Sequence, residues 1–307
     1  MNGTLEISKK TMVVTGATSG IGLATAKGLA YQGAYVIGVG RSQKRCEQAE
    51  IIIRTAVPEA RVIFLVADLA SQRQVRELAE RIRLKAAGLN QGAAPRIDVL
   101  INNAGTFSRW FTATPEGIEL QLAVNHLAPF LLTHELMPLL KAAPAGRVVT
   151  VSSGSHYRTR INWNDIELRN HYNCLRAYKQ SKLANVLFSF ELNRRLRACV
   201  RDSNPNIRAY AVDPGLVNTE IGLKATNGLV RWIWNHRRRS GVDPAAGAAT
   251  SIYLASEPSV QTAQEVYWKN CRPRRPSRYS EREDAAQRLW EISERMCGIN
   301  SADYGLG

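Results

Sequence analysis

Short hydrophobic runs rich in β-branched residues alternate along the chain with longer segments whose apolar residues recur every three or four positions. The short runs have the length and composition of strands that are buried on both faces of a parallel sheet. The longer segments have the periodicity of amphipathic helices. The pattern predicts strands at residues 11–15, 34–39, 61–67, 97–101, 147–152, 207–212 and 265–268, and helices at residues 21–30, 75–86, 118–140 and 179–196.

This alternation predicts an α/β fold with one Rossmann-type, doubly wound parallel sheet of about seven strands and helices on both faces. No Pro- or Ser-rich linker and no internal repeat interrupts it, so we expect a single domain over residues 1–307. Two segments without clear periodicity, 154–173 and 216–242, follow predicted strands. Because ligands of such folds bind at the carboxyl ends of the strands, these segments are candidate walls of a ligand site.

A glycine-rich turn joins the first predicted strand to the first predicted helix. Glycine in such a turn lets the backbone bend tightly and approach a pyrophosphate, whose charge the helix N-terminus stabilises. Glycine-rich strings also occur in ordinary turns, but the strand before this one and the helix after it favour a dinucleotide site. The candidate contacts are Gly16, Thr18, Ser19, Gly20, Ile21 and Gly22.

The residues that follow the second and third predicted strands indicate which dinucleotide binds. NAD-binding units usually carry an acidic residue at the end of the second strand, whereas this chain has Arg41 there, with Lys44 just beyond. An arginine can hold a 2′-phosphate by two parallel hydrogen bonds, so the pattern favours NADP(H). The alternative is that Arg41 only begins an exposed helix. Asp68 either accepts a bond from the adenine amino group or belongs to a loop that caps the next helix at Ser71.

A tyrosine and a lysine, Tyr178 and Lys182, lie four residues apart in a predicted helix, so both side chains emerge on one face. A phenol, with a reference pKa of about 10, acts as a general acid or base near neutrality only with help, and a nearby ammonium group favours its ionised form. Ser153 ends the fifth predicted strand, where its hydroxyl can bond a reacting oxygen. Asn125 lies on an otherwise apolar helical face, either as part of this site or as a core amide with satisfied hydrogen bonds.

Taken in their order along the chain, these elements resemble the motifs of the short-chain dehydrogenases/reductases. The resemblance covers almost the whole chain and rests on residues 15–22, Asn102-Asn103-Ala104-Gly105, Asn125, Ser153, Tyr178-x-x-x-Lys182 and Pro214-Gly215. Residues 178–196 and 289–294 are similar to the retinol dehydrogenase-like branch of this family.

The resemblance implies an NADP(H) enzyme that moves a hydride between the nicotinamide and an apolar ketone, aldehyde or alcohol. In it, Tyr178 is the acid/base and Ser153 holds the substrate oxygen, while Lys182 binds the ribose and lowers the tyrosine pKa and Asn125 holds a relay water. The cofactor-binding part then covers about residues 10–150, the catalytic and substrate part about 151–270, and a C-terminal helical extension about 271–307. A non-catalytic cofactor-binding sensor or scaffold is the alternative, but such proteins usually lack one of these four side chains. Further cofactor contacts implied by the resemblance are Leu69, Asn102, Asn103, Ala104, Gly105, Pro214, Gly215, Val217 and Thr219.

The amino-acid composition indicates which binding partners and which cellular compartment to expect. The chain has 45% hydrophobic and 22% charged residues and a net charge of +15, much of it within residues 231–239 and 272–282. Such charge favours anionic partners, but without an interleaved basic and aromatic pattern we expect a solvated basic face and no nucleic-acid binding. The five scattered cysteines have no metal-ligand spacing, which indicates a reducing compartment and no metal site.

Membrane contact is the remaining question. No apolar stretch is long enough for a spanning helix, and only about ten residues precede the first predicted strand, where many retinol dehydrogenase-like relatives have an anchor. Residues 229–239 form either an amphipathic helix at a membrane surface or a lid over the substrate, which we favour. We expect a cytoplasmic protein, with peripheral membrane contact left open, and the resemblance implies pairing of subunits through the helices that carry Asn125 and Tyr178. Apolar residues in the candidate walls, among them Trp163, Trp232 and Trp234, favour a hydrophobic substrate.

Overall fold

The computed structural model describes residues 7–89, 94–198, 207–215 and 243–306. Eight strands within these residues form one sheet: β1 Thr11–Thr15, β2 Tyr35–Gly40, β3 Val62–Val66, β4 Val99–Asn102, β5 Arg147–Val151, β6 Arg208–Asp213, β7 Tyr267–Lys269 and β8 Arg272–Pro273. Their order in the sheet is β3-β2-β1-β4-β5-β6-β7-β8. Neighbouring strands are parallel except β7 and β8, which are antiparallel.

Helices cover both faces of this sheet. They are α1 Gly20–Tyr31, α2 Gln43–Ala56, α3 Gln72–Leu89, α4 Ala128–Glu135, α5 Met137–Lys141, α6 Cys174–Ala198, α7 Pro244–Ser256 and α8 Glu283–Cys297. One hydrophobic cluster joins the sheet to α3, α4 and α6 through Val75, Phe130 and Phe188. A second cluster, with Leu29 and Leu254, joins the opposite face to α1 and α7. In the described part of the chain, no helix combines the length and apolarity that crossing a bilayer requires.

The doubly wound sheet is confirmed, and all seven predicted strands are present, with ends within two residues of the predicted ones. The additional strand, β8, makes the edge of the sheet antiparallel. It consists of Arg272 and Pro273, both exposed. A strand this short and polar has no alternation of hydrophobic residues, so its pairing with β7 leaves no trace in the sequence pattern.

The predicted helix over residues 118–140 is wrong as a continuous element. A single turn at Leu120–Leu122 runs into a π-helical turn at Ala123–Leu127, and α4 and α5 follow. Pro129 and Pro138 each lie in the first turn of a helix. Proline fits the first turn of a helix, where its missing N–H is not needed, but it interrupts a helix that continues through it. The apolar spacing of the sequence therefore continues through positions at which the helix itself is interrupted.

The C-terminal helix α8 packs against α4 and α6 around Trp290, whose side chain is only 1% exposed. The indole stacks on Phe188 with 5.8 Å between ring centroids and meets Phe130 edge-on at 5.0 Å. The Arg195 guanidinium lies 4.6 Å from the ring centroid, and the indole N–H donates to Ser301 Oγ at 2.8 Å. This helix covers part of the α6 surface to which the resemblance assigned subunit pairing, so the homodimer stays a prediction.

Two buried histidines lie under this C-terminal segment. His126 Nε2 is 2.8 Å from Ser293 Oγ. His134 Nδ1 donates to Phe130 O at 2.8 Å, and its Nε2 lies 3.0 Å from Ser301 Oγ. Burial lowers the pKa of both imidazoles from 6.5 to about 4, because the charged form is excluded from the core. Both histidines are therefore neutral in the folded protein near neutral pH.

We expect acid to weaken the fold through these two histidines. Between about pH 6.5 and pH 4 the unfolded chain binds protons that the folded protein does not. The free energy of unfolding then falls as the pH falls, by at most about 1.4 kcal/mol per pH unit for each histidine. Urea unfolding of the parent and of His134→Gln across this range measures the effect. The variant should lose less stability per pH unit than the parent, and equal slopes would refute this account.

Candidate active site

The glycine-rich turn after β1 is packed against the loop after β4. Gly16 and Gly20 have positive φ angles of 67° and 54°. A Cβ added to Gly16 would lie 2.8 Å from the Ala104 Cα, and one added to Gly22 would lie 2.1 Å from the Gly16 carbonyl oxygen. Side chains at these positions would therefore push the two loops apart. The spacing of these glycines follows from this close packing.

Hydrogen bonds lock the same two loops together. Thr15 Oγ1 accepts bonds from the backbone N–H groups of Asn103 and Ala104, each at 3.0 Å. Asn103 Nδ2 donates to Thr15 O at 2.9 Å. Asn102 is buried and donates to Thr133 Oγ1 at 3.2 Å, which ties β4 to α4. The segment of Asn102, Asn103, Ala104 and Gly105 thus forms the floor beside the glycine turn.

The N-terminus of α1 remains available to an anion. The side chain of Ser19 precedes the helix without bonding a backbone N–H of its first turn. Thr18 rests on the end of β2, since a Cβ at Gly40 would lie 2.3 Å from its methyl carbon. The first turn of α1, which begins with Gly20, Ile21 and Gly22, therefore has no side-chain cap from Ser19, as an anion site requires.

Two cationic side chains stand at the end of β2, beside this helix N-terminus. Arg41 and Lys44 are exposed, and the ion pairs found among the described residues include neither of them. An exposed arginine without a carboxylate partner keeps its hydrogen-bond donors available for a phosphate. The geometry is compatible with both alternatives for Arg41.

Asp68 stands at the end of β3, and its Oδ1 accepts a bond from Ala70 N at 3.0 Å. The N-terminus of α3 is capped instead by Glu116, whose Oε1 accepts bonds from Gln72 N at 2.7 Å and from Ser71 Oγ at 3.3 Å. Asp68 is exposed, so a contact of its other carboxylate oxygen with an adenine stays a prediction. The neighbouring Leu69 packs against the core.

The predicted proton donor, Tyr178, lies in the second turn of α6. Its hydroxyl is hydrogen-bonded to Ser153, and its ring meets Phe107 edge-on with 5.8 Å between centroids. Burial raises the pKa of Tyr178 to about 12; the bond from Ser153 acts against this rise, and the carboxylate of Asp213 adds to it. The lowering of this pKa by Lys182, which the resemblance implies, stays a prediction. At neutral pH the phenol carries its proton.

Lys182 follows one helical turn later, on the same face of α6 as predicted. It is 3% exposed, its Nζ lies 5.8 Å from the centroid of the Tyr178 ring, and it donates to Val151 O at 3.1 Å. Burial lowers the pKa of this ammonium group to about 8. Two further bonds attach α6 to the end of β5, from Ser152 Oγ to Lys182 O at 2.7 Å and from Asn185 Nδ2 to Val151 O at 3.1 Å.

Ser153 lies two residues after β5 and caps a 3₁₀ turn, Gly154–His156. Its Oγ accepts a bond from Ser155 N at 3.1 Å, and its carbonyl accepts one from His156 Nδ1 at 2.8 Å. These contacts hold the Ser153 hydroxyl next to the hydroxyl of Tyr178. The predicted grouping of serine, tyrosine and lysine is present in space.

Asn125 lies in the π-helical turn and has a complete set of side-chain partners. Its Oδ1 accepts from Thr106 N at 2.7 Å, and its Nδ2 donates to Thr106 O at 3.0 Å and to Ser181 Oγ at 2.9 Å. Of the two sequence interpretations, the satisfied buried amide describes this side chain. The bonds also join the loop after β4 to α6, next to Lys182, so the amide supports the site. π-Helical turns often mark functional sites.

Two residues of this region were missed by the sequence analysis. Asp213 ends β6, is 3% exposed, and forms an ion pair with Lys269 at 3.0 Å. Its Oδ1 also accepts a bond from Gly215 N at 3.0 Å. His156 is fully buried and connects the Ser153 carbonyl to Ser277 N, 3.1 Å from its Nε2. The position of Asp213 at the end of a strand could have identified it from the sequence, whereas the position of His156 could not.

The remaining predicted residues lie after β6, outside the described residues, or in another part of the fold. Pro214 and Gly215 follow β6 at the same edge of the sheet, and Gly215 has a φ angle of 79°. Val217 and Thr219, together with the predicted wall at 216–242 that contains residues 229–239, lie outside the described residues. Trp163 packs against the cluster that includes Leu183 and Leu289, and it stacks under Arg288 with 4.8 Å between the guanidinium carbon and the ring centroid. Its ring therefore joins α8 to the body of the protein.

Comparisons with known proteins agree with this geometry. The family model of the short chain dehydrogenases matches residues 10–228. Human dehydrogenase/reductase SDR family member 13 is 38% identical over 301 residues, which cover 96% of this chain and 74% of that protein. Retinol dehydrogenase 14 of Mus musculus is 36% identical over 308 residues, which cover 94% of this chain and 86% of that protein. A crystal structure from Mycobacterium paratuberculosis superposes with a TM-score of 0.72 at 33% identity, covering 95% of this chain and 94% of that one.

The region matched by the family model contains the glycine turn, the end of β5 and the helix that carries Tyr178. Members of this family are oxidoreductases that use nicotinamide cofactors. The relatives named retinol dehydrogenase match over most of the chain. The chain therefore belongs to the short-chain dehydrogenase/reductase family, in its retinol dehydrogenase-like branch, and is an oxidoreductase.

Proposed function

We propose that the protein is an NADP(H)-dependent oxidoreductase that moves a hydride between the nicotinamide and an apolar ketone, aldehyde or alcohol. The observation that carries the proposal is the hydrogen bond between the hydroxyls of Tyr178 and Ser153, with the buried ammonium of Lys182 on the same helix face. A proton donor, a second hydroxyl for the reacting oxygen and a cation thus meet at the carboxyl ends of the strands. General acid catalysis of carbonyl reduction needs this set.

The residues around the glycine turn fit a dinucleotide. A Cβ at Gly16 or Gly22 would fill the space beside Asn103 and Ala104, and the first turn of α1 has no side-chain cap. When bound, the nicotinamide supplies or accepts the hydride. The residues that we propose to hold the dinucleotide are Gly16, Thr18, Ser19, Gly20, Ile21, Gly22, Arg41, Lys44, Asp68, Leu69, Asn102, Asn103, Ala104, Gly105, Tyr178, Lys182, Pro214, Gly215, Val217 and Thr219.

The proton chemistry follows from the state of the tyrosine. With a pKa of about 12, Tyr178 is protonated at neutral pH and can donate its proton to the oxygen of a carbonyl substrate. Ser153 holds that oxygen by a second hydrogen bond, and Lys182 stabilises the phenolate that proton donation leaves. The direction depends on the cofactor ratio, and use of NADPH favours reduction. In the opposite direction the same groups would take the proton from an alcohol.

An apolar substrate is the best match for the surroundings of Tyr178. Phe107 contacts the tyrosine ring, and three residues after it in the chain Trp110 is 68% exposed. Leu175, which is 41% exposed, lies about one helical turn before Tyr178 in α6. Exposed apolar groups close to a catalytic residue favour a hydrophobic ligand over a sugar. The relatives called retinol dehydrogenases carry a name that points to an apolar alcohol.

The first experiment is a binding titration of the purified protein with NADPH and with NADH. The tighter cofactor is then mixed with apolar aldehydes and ketones of increasing chain length, and its absorbance is followed. Saturable consumption with one of these carbonyls supports the proposal. Binding of neither cofactor would contradict it.

We expect Arg41 to decide the preference between the two cofactors. In Arg41→Gln, loss of a charge-assisted contact to the 2′-phosphate should weaken NADPH binding about 10- to 100-fold, an effect of about 1.5–3 kcal/mol. NADH binding should stay within about twofold. Arg73→Gln is a matched control, because Arg73 is exposed on α3, outside the proposed site. Equal losses for NADPH and NADH would remove Arg41 from the role of phosphate reader.

A further inference from the structure

A basic pocket lies outside the machinery described so far. The second basic stretch of the sequence, residues 272–282, takes no part in the proposed reaction. The structure places Arg278 from this stretch beside Arg158 and Arg160, which come from the loop after β5. Together they line an open pocket of about 380 Å³, within the range of about 300–1,000 Å³ for small-molecule sites. The lining residues are Arg158, Thr159, Arg160, Ser277, Arg278 and Tyr279.

Within the described part of the chain, the three arginines of this pocket have no counter-ion. None of the lining residues is acidic, and no ion pair among residues 7–89, 94–198, 207–215 and 243–306 involves the three. Of the acidic residues that follow in the chain, Glu281 pairs with Arg275 and Asp284 pairs with Arg282. A guanidinium group stays charged at any physiological pH, so three of them around one pocket repel one another until an anion binds.

The pocket is separate from the proposed cofactor phosphates but close to the catalytic serine. Arg41 follows β2, and β2 is four strands away from β6 in the sheet. The pocket, in contrast, lies between the segments that follow β5 and β8. Ser277 N, in its wall, donates to His156 Nε2 at 3.1 Å, and His156 Nδ1 donates to Ser153 O at 2.8 Å. The wall of the pocket is thus two hydrogen bonds from Ser153.

We propose that this pocket binds a phosphate monoester group. A phosphate carries up to two charges and several acceptor oxygens, and planar guanidinium groups bind such oxygens in pairs. The openness of the pocket leaves room for the molecule that bears the phosphate, either a lipid headgroup or a soluble ester. This site goes beyond the proposed oxidoreductase reaction, and its test does not depend on turnover.

The test is isothermal titration of the full chain with inorganic phosphate at constant ionic strength. The parent is compared with Arg158→Gln/Arg160→Gln/Arg278→Gln. The control, Arg73→Gln/Lys85→Gln/Arg197→Gln, removes the same number of charges from exposed residues elsewhere. All three proteins keep the glycine turn, so phosphate bound there is common to them. The three single pocket variants control for loss of the fold in the triple variant, and circular dichroism checks each protein.

We expect the parent and the control to bind phosphate and the pocket variant to lose one site or to bind it at least about tenfold more weakly. Equal binding by the pocket variant and the control overturns the proposal. The same proteins are then tested with glycerol phosphate and with phosphatidylcholine vesicles that contain phosphatidic acid. Loss of vesicle binding in the pocket variant alone assigns the phosphate to a lipid, and loss of glycerol phosphate binding alone assigns it to a soluble ester. Absence of any difference with both probes also counts against the site.

Discussion

Replacing Tyr178 by phenylalanine is expected to lower kcat by about 10²- to 10⁴-fold, with the fold preserved and a much smaller loss of cofactor affinity. The change removes the hydroxyl that is hydrogen-bonded to Ser153 and keeps the ring that contacts Phe107. Without this hydroxyl, no group at this position can give a proton to the substrate oxygen as the hydride arrives. Steady-state kinetics with the best carbonyl substrate, together with a cofactor titration, measure the two effects separately.

Tyr172→Phe is a matched control for this experiment. Tyr172 precedes α6 and donates its hydroxyl proton to Glu119 Oε1 at 3.0 Å, away from Ser153. Removal of this hydroxyl should leave kcat within a few-fold of the parent if the proton comes from Tyr178. Should Tyr178→Phe keep most of its turnover, the acid/base role would have to pass to another residue, and the alternative of a cofactor-binding protein without catalysis would gain weight.

Replacing Trp290 by alanine should destabilise the protein by about 3–5 kcal/mol. The substitution removes a fully buried ring that packs on Phe130 and Phe188 and lies under the Arg195 guanidinium. It also removes the indole N–H donor to Ser301 Oγ. The cavity that remains lies between three helices, whose backbones can close it only in part. Urea unfolding at neutral pH measures the loss.

Trp110→Ala provides the comparison, because Trp110 is 68% exposed and its ring contacts the guanidinium of Arg109 at 4.9 Å. Loss of an exposed cation–π contact costs about 0.5–1 kcal/mol. The two tryptophan variants should therefore differ several-fold in their effect on the free energy of unfolding. If both variants unfold at the same urea concentration, α8 is not the stabilising cover that its contacts indicate.

The fold was largely readable from the sequence because a buried parallel sheet requires continuous hydrophobic strands. Such strands are short, rich in β-branched residues and separated by helical periodicity. The break at Leu136, with φ −93° and ψ 0°, was not readable, because Pro138 fits the first turn of a new helix as well as the pattern of an old one. The pairing of β8 depends on β7 being beside it, which no local pattern encodes.

Some features of the candidate site, too, were readable from the sequence, and others were not. Local spacing determined that Tyr178 and Lys182 share a helix face and that Gly16 and Gly22 belong to a turn against a helix N-terminus, because helix geometry and glycine's freedom act over a few residues. The sequence left open whether Asn125 is part of the site or a core amide with satisfied hydrogen bonds. Only the packing showed that Thr106 and Ser181 are its hydrogen-bond partners.

By itself, then, the sequence determined the element types, the sheet class, the family and the four candidate catalytic side chains. Only the tertiary structure brought Asp213 near Tyr178, tied His156 between Ser153 and Ser277, and gathered Arg158, Arg160 and Arg278 around one pocket. Asp213 is tens of positions from Tyr178 in the chain, and Ser277 and Arg278 are more than a hundred positions from His156 and Arg158. Their electrostatic effects depend on distances of a few ångströms and on burial, which local periodicity does not specify.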